Sequence, residues 1–234
     1  MQICGLQKTT LLDFPGHVAC TIFTGGCNFR CPYCQNSEIV LDPASWQSET
    51  AESVLAFLKK RKGILEGACI TGGEPTLQPN LKEFIKNVRE LGYLVKLDTN
   101  GYQPKVLREL LEEGLLDYVA MDIKASRENY ARVAGLKSFD VTRIEESVSM
   151  LMDQDQIPYE FRTTVVKGLH DPQEFERIGQ WLSGAQALYL QSFRESEHVL
   201  DQSLTMGSFS KEELESMAEM ARNYIVRVEI RGVE

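Results

Sequence analysis

Short aliphatic and β-branched runs alternate with segments of helical period along the chain, and no other feature of the sequence restricts its fold as much. Residues 18–23, 68–71, 94–98, 118–122, 161–166 and 187–190 have strand character. Between them Val54, Leu55 and Leu58, then Leu81, Phe84, Ile85, Val88 and Leu91, then Val106, Leu107, Leu110 and Leu111 fall at helical spacing. Ile144, Val148, Leu151 and Met152 continue the pattern, followed by Phe175, Ile178, Trp181 and Leu182. Gly92, Gly114 and Gly184 supply helix stops, while Thr142-x-x-Glu145 and Ser210-x-x-Glu213 have the form of capping boxes. Helical crossovers of this length join parallel strands, so the pattern implies right-handed βαβ units in a parallel sheet, open or curled into a barrel. The opening residues suit a hairpin, and residues 225–230 a terminal strand.

No repeat, low-complexity tract or Pro/Ser-rich linker interrupts the 234 residues, so a single domain over 1–234 is expected. Lys and Arg number 25 against 34 Asp and Glu, a net charge of −9 with no basic stripe, which argues against a protein held on nucleic acid by phosphate contacts. An anionic small molecule in a local positive pocket remains compatible. No basic leader with an apolar run opens the chain, and no stretch of about 18 apolar residues occurs, so a cytoplasmic protein without a membrane partner is expected. In that reducing setting six Cys are better understood as thiols and ligands than as a disulfide framework.

Three of them crowd together as Cys27, Cys31 and Cys34 after the first crossover strand, with the spacing C-x3-C-x2-C and no fourth cysteine nearby. Closed zinc sites and ordinary [4Fe–4S] carriers use four protein ligands. Three ligands on four irons leave one iron open to bind a substrate. Two other readings stand beside this one. A zinc site could be completed by His17, His170, His198 or Cys69, and Cys31-Pro32-Tyr33-Cys34 alone matches a glutaredoxin-like thiol exchanger, which would leave Cys27 without a role. The scattered Cys4, Cys20 and Cys69 argue against a second cluster, and Cys20 and Cys69 lie in strand patterns as core residues.

The later strands end in residues that suit one site. Gly72-Gly73-Glu74-Pro75 lets backbone approach a ligand closely. Asp98-Thr99-Asn100-Gly101 follows the third crossover strand. Asp122 and Lys124 project to one side of the fourth by strand periodicity. Arg162 lies within the fifth, where a charge needs an anion, either a ligand or a carboxylate such as Glu74 or Asp122. Together these groups suit a zwitterionic amino acid attached to something larger.

Cys27, Cys31 and Cys34, with aromatic Tyr33 just before the third cysteine, resemble the signature of the radical S-adenosylmethionine (SAM) enzymes, and Gly72-Gly73-Glu74-Pro75 is similar to that family's methionine-binding motif. The resemblance implies an α/β fold, a partial (β/α)6 barrel, here with a short N-terminal hairpin and a C-terminal helix. Within the family, residues 9–16, Asp98-Thr99-Asn100-Gly101 and Asp122-Ile123-Lys124 resemble the glycyl-radical-enzyme activases. Residues 5–10 and 189–193 are most similar to the activating proteins of anaerobic ribonucleoside-triphosphate reductase. Gln35 stands where many activases have His.

By that resemblance Cys27, Cys31 and Cys34 hold a [4Fe–4S] cluster, Tyr33 lies near the adenine, and Gly72, Gly73 and Glu74 bind the methionine amino group. Asp98, Thr99 and Asp122 would stand beside the methionine carboxylate, the two acids binding a monovalent cation, with Lys124 and Arg162 close by. Thr164 and Gln191 would line the adenine side. The activity implied is reductive cleavage of SAM to a 5′-deoxyadenosyl radical that takes a Cα hydrogen from a partner's glycine, with no side chain as general acid or base. The partner would be a glycyl radical enzyme, anaerobic ribonucleoside-triphosphate reductase, and the electron donor a flavodoxin or ferredoxin. A small-molecule radical SAM enzyme of the 7-carboxy-7-deazaguanine synthase kind, and a metal-binding or electron-carrying module without turnover, are the alternatives.

Overall fold

The computed structural model describes residues 1–233. Its strands are β1 (Ile3–Thr10), β2 (Ala19–Thr24), β3 (Gly67–Gly72), β4 (Leu94–Thr99), β5 (Tyr118–Asp122), β6 (Tyr159–Val165), β7 (Leu188–Ser192) and β8 (Val228–Arg231). The helices are α1 (Ser37–Leu41), α2 (Ala51–Lys60), α3 (Leu81–Glu90), α4 (Pro104–Glu112), α5 (Tyr130–Val133), α6 (Thr142–Asp153), α7 (Pro172–Trp181) and α8 (Lys211–Arg222). Within each unit the strands neighbour one another in the order of the sequence. This is the mostly parallel α/β class that the alternating pattern implies.

The chain divides into two compact units, the first made of residues 1–28, 38–120 and 156–158, the second of 29–37, 121–155 and 159–234. In the first, β1 pairs antiparallel with β2 as the expected hairpin, and β2, β3 and β4 run parallel. Ala19, Cys20 and Ile22 on β2 and Ala68, Cys69 and Ile70 on β3 are fully buried, as strands covered on both faces must be. Val54 and Leu58 of α2 and Leu81, Phe84, Ile85 and Val88 of α3 turn inward along one stripe each. In the second unit β6, β7 and β8 are parallel, with Thr164 opposite Gln191 in register. Phe175 and Ile178 of α7 and Leu214, Met217 and Ala218 of α8 are its buried helix faces.

The expected stops are present at Gly92, Gly114 and Gly184, all with positive φ. Ser210 and Glu213 form the anticipated capping box of α8. The box expected at Thr142 and Glu145 does not form. Asp140, two residues earlier, is the stronger acceptor: its carboxylate takes the Thr142 amide at 3.2 Å and hydroxyl at 2.6 Å, so Thr142 becomes the first helical residue. Glu145 instead pairs with Arg127 at 2.6 Å. A capping box between Thr50 and Ser53, with Ser in place of the usual Glu, starts α2.

His170, 6% exposed, fastens the turn after β6. Its Nδ1 accepts the Val166 amide at 3.0 Å, so its Nε2 carries the proton and donates to the Lys124 carbonyl at 2.8 Å. Burial pushes its pKa below the ordinary 6.5. The folded chain therefore favours the neutral ring: this contribution to stability is complete above about pH 6.5 and is lost as pH falls from there toward the lowered folded value. His170→Gln should cost about 1–3 kcal/mol at pH 7 and flatten the fall of the unfolding midpoint between pH 7 and 5. Equal slopes for variant and wild type in thermal unfolding would contradict this.

Candidate active site

In the first unit the site is built where the loops after β2, β3 and β4 converge. Gly72 has φ +111°, and a Cβ there would lie 2.4 Å from the Thr24 amide nitrogen; at Gly73 it would lie 1.9 Å from the Gly26 carbonyl oxygen. The paired glycines thus admit the neighbouring loop of this chain. The Gly73 amide donates to Thr24 O and the Glu74 amide to Gly26 O, both at 2.8 Å, fixing the residue before Cys27.

The Glu74 side chain is 1% exposed and turned inward. It accepts from the Thr76 amide at 3.1 Å, the Thr99 hydroxyl at 2.7 Å, the Asn100 amide at 2.7 Å and the Thr76 hydroxyl. Burial raises its pKa, and these donors pull the other way. With both oxygens occupied, Glu74 ties the loop after β3 to the loop after β4, and what the glycine loop presents is main chain. Thr99 is likewise committed to Glu74, and Asp98 is ion-paired with Lys96, which is 2% exposed.

Asn100 donates its side-chain amide to Asn28 Oδ1 at 2.9 Å and lies 3.8 Å from Cys27 Sγ. Asn28 Nδ2 is buried without a hydrogen-bond partner, next in sequence to Cys27. An orphan N–H beside a cysteine suits a sulfur-rich anion, because hydrogen bonds to sulfur stabilise a cluster. The donor chemistry here fits an iron–sulfur cluster.

In the second unit a turn closed by Cys34 N–H to Cys31 O, 3.0 Å, carries Cys31, Tyr33 and Cys34. Burial pushes the Cys31 thiol up to about 11, opposed by the charge of Lys124. Tyr33 is 6% exposed and its pKa is also raised by burial. Asp122 receives Arg162 Nε at 2.9 Å and Lys124 Nζ at 3.0 Å. Burial works against the Asp122 charge, but Arg162 and Lys124 outweigh it and hold the carboxyl down at about 2. Burial also opposes the Lys124 charge, and Asp122 reverses that, leaving Lys124 well above its ordinary value. Arg162 and Lys124 thus both turn toward the Asp122 carboxylate. Arg162 has the carboxylate partner its position demanded. Thr164 shares its half-exposed face on β6, and Gln191 lies beside Thr164 on β7.

The same turn is held from the segment after β7. Leu200 N–H donates to Cys34 O at 3.0 Å and Asp201 N–H to Pro32 O at 2.9 Å. Gln35 Nε2 donates to Arg194 O at 2.7 Å, and Ser37 Oγ to His198 O at 2.6 Å. Nothing in the sequence marks these contacts, because their acceptors and half of their donors are main chain. A groove of about 460 Å³ between Phe193 and Met206 is lined by Glu195, Glu197, Val199 and Leu204.

Residues 21–182 match the model of the Radical SAM superfamily. The chain belongs to the radical SAM superfamily. A protein of Methanocaldococcus jannaschii named "putative glycyl-radical enzyme activating enzyme" is 30% identical over 239 residues, 99% of this chain and 96% of its own. A "probable GTP 3',8-cyclase" of Saccharolobus solfataricus is 30% identical over 144 residues, 61% of this chain and 46% of its own. Among solved structures, SuiB of Streptococcus suis bound to its precursor peptide SuiA has a TM-score of 0.69 at 12% identity, covering 91% of this chain and 48% of that one. TYW1 with a lysine-pyruvate adduct has a TM-score of 0.62 at 18% identity, covering 88% and 73%. These two likenesses bear on the fold, and they agree with a partial barrel.

Radical SAM membership implies a [4Fe–4S] cluster and SAM. No disulfide joins any of the six cysteines, and Cys20 and Cys69 are buried as core. Cys27 falls in the first unit and Cys31 and Cys34 in the second. Among the described residues no three His, Cys, Asp or Glu side chains are gathered as a metal-binding group. His170, one of the side chains offered for a zinc site, has both ring nitrogens committed. Among the described residues no helix is long and apolar enough to cross a membrane.

Gly73→Ala should drive the cysteine loop off Gly26 at a cost of about 1–3 kcal/mol. Anaerobic reconstitution should then load markedly less iron than wild type while unfolding stays cooperative. Equal iron loading would show that the contact does not position Cys27.

Proposed function

We propose that this radical SAM enzyme is a glycyl-radical-enzyme activase and that its partner is anaerobic ribonucleoside-triphosphate reductase. The observation that carries the reading is the correspondence with the M. jannaschii relative, at 30% identity over 99% of this chain and 96% of the other. The partner's identity rests on residues 5–10 and 189–193.

Cys27, Cys31 and Cys34 would hold the [4Fe–4S] cluster. When bound, it supplies to SAM the electron that splits a sulfur–carbon bond, giving methionine and a 5′-deoxyadenosyl radical able to take a Cα hydrogen from glycine. The chain's residues orient and shield. The main chain at Gly72 and Gly73 would take the methionine ammonium, while Glu74 and Thr99 hold that loop in place. Arg162 and Lys124, held in place by Asp122, would take the methionine carboxylate. Tyr33, Thr164 and Gln191 would flank the adenine. No proton transfer is required of any side chain. A glycine target suits a buried site, since a loop without a side chain can thread where others cannot. A flavodoxin or ferredoxin would supply the electron.

The test is anaerobic. Protein reconstituted with iron and sulfide, reduced and given SAM together with the reductase, should form 5′-deoxyadenosine and leave a glycyl radical on the reductase by electron paramagnetic resonance. Cys34→Ala should give neither. Nucleoside from SAM without a glycyl radical would move the assignment to a small-molecule substrate. No SAM binding by fully loaded protein would overturn the enzyme reading.

A further inference from the structure

The acid expected to help bind a monovalent cation, Asp98, already has a cation of its own. Lys96 precedes it by two residues on β4, so strand periodicity sets both side chains on one face, and they form an ion pair. Lys96 is 2% exposed. A charge this deep must be paired and its N–H groups satisfied. Besides Asp98, the ammonium lies 3.7 Å from Cys69 Sγ and 5.9 Å from the ring centre of Tyr118. Thr21, Cys69 and Lys96 are register partners across β2, β3 and β4, and the Thr21 hydroxyl donates to Asp13. The ammonium therefore has a thiol and an aromatic face at its sides and the Asp98 carboxylate as its anion.

We propose that Lys96 is the built-in counter-ion of Asp98, standing in for the monovalent cation, so that SAM binding by this chain is independent of alkali metal ions. The proposal rests on the radical SAM reading above. A metal cation added at Asp98 would meet the ammonium in a setting with little water to screen their repulsion. The second acid expected to bind the cation is no better suited. Asp122 is paired with both Lys124 and Arg162. The donor set thus does not fit the monovalent cation that the resemblance implied. Lys96 is a positioning residue: it fixes the orientation of Asp98 without touching substrate.

Two measurements test this. First, the Kd of cluster-loaded protein for SAM is measured by anaerobic calorimetry in potassium, sodium and tetramethylammonium chloride at constant ionic strength. Wild type should vary within about twofold, whereas Lys96→Met should weaken about tenfold in tetramethylammonium and recover in potassium or sodium. Wild-type binding that tightens about tenfold with an alkali cation would overturn the proposal.

Second, the unfolding midpoint of cluster-free protein is followed in the same salts. Lys96→Met should be stabilised by potassium or sodium over tetramethylammonium, and wild type should not. Lys96→Met/Asp98→Asn removes both charges and should show no cation preference. A specific response of wild type or of the double variant, or none in Lys96→Met, would overturn the counter-ion role. Absence of SAM binding in every salt would instead defeat the radical SAM reading, and the midpoints would still decide the role of Lys96.

Discussion

The arrangement of the first unit hangs on a carboxylate that never reaches solvent. Glu74 has four hydrogen-bond donors drawn from its own turn, from the last residue of β4 and from the loop that follows it. Removing a carboxylate from water is strongly unfavourable unless its lone pairs are filled, so the fold that satisfies Glu74 is sharply preferred over any that leaves it partly paired. Because the Glu74 amide also holds Gly26, one residue sets two neighbouring loops. The placements of Cys27 and Asn100 follow from that constraint.

The second unit uses charge in a related way. Asp122 is gripped by Arg162 and Lys124, and the Lys124 carbonyl is itself held by His170. The Asp122 carbonyl takes the Tyr130 hydroxyl at 3.2 Å. Behind it Glu174, fully buried, gathers the Ser126 amide, Asn129 and Arg177. Glu74, Asp122 and Glu174 are thus each supplied with donors or cations from the residues around them.

Much of this architecture is legible in the sequence. Apolar runs and glycine stops locate β2 to β8 and the long helices, because parallel strands and amphipathic helices must carry those periods to be buried. The cysteine triplet and Asp122-x-Lys124 are legible for the same local reason, their spacing. What escapes is what depends on distant partners. Glu74 looks like a ligand residue until Thr99 and Asn100 are seen to fill it, and Lys96 looks like one polar residue in a strand until Asp98, Cys69 and Tyr118 enclose it. Thr142 has the letters of a cap, but Asp140 outcompetes it. The short α1 and α5 are too brief to show a period at all.

The segment following β7 grips the Cys31–Cys34 turn by the Arg194 and His198 carbonyls and the Leu200 and Asp201 amides. Every group on its side of that latch is main chain. The latch therefore asks nothing of the side chains at 194, 198, 200 and 201, with proline alone barred at 200 and 201 for want of an N–H. The chain can therefore revise what this segment displays to another molecule, one residue at a time, while the turn bearing two of its cysteines stays fastened.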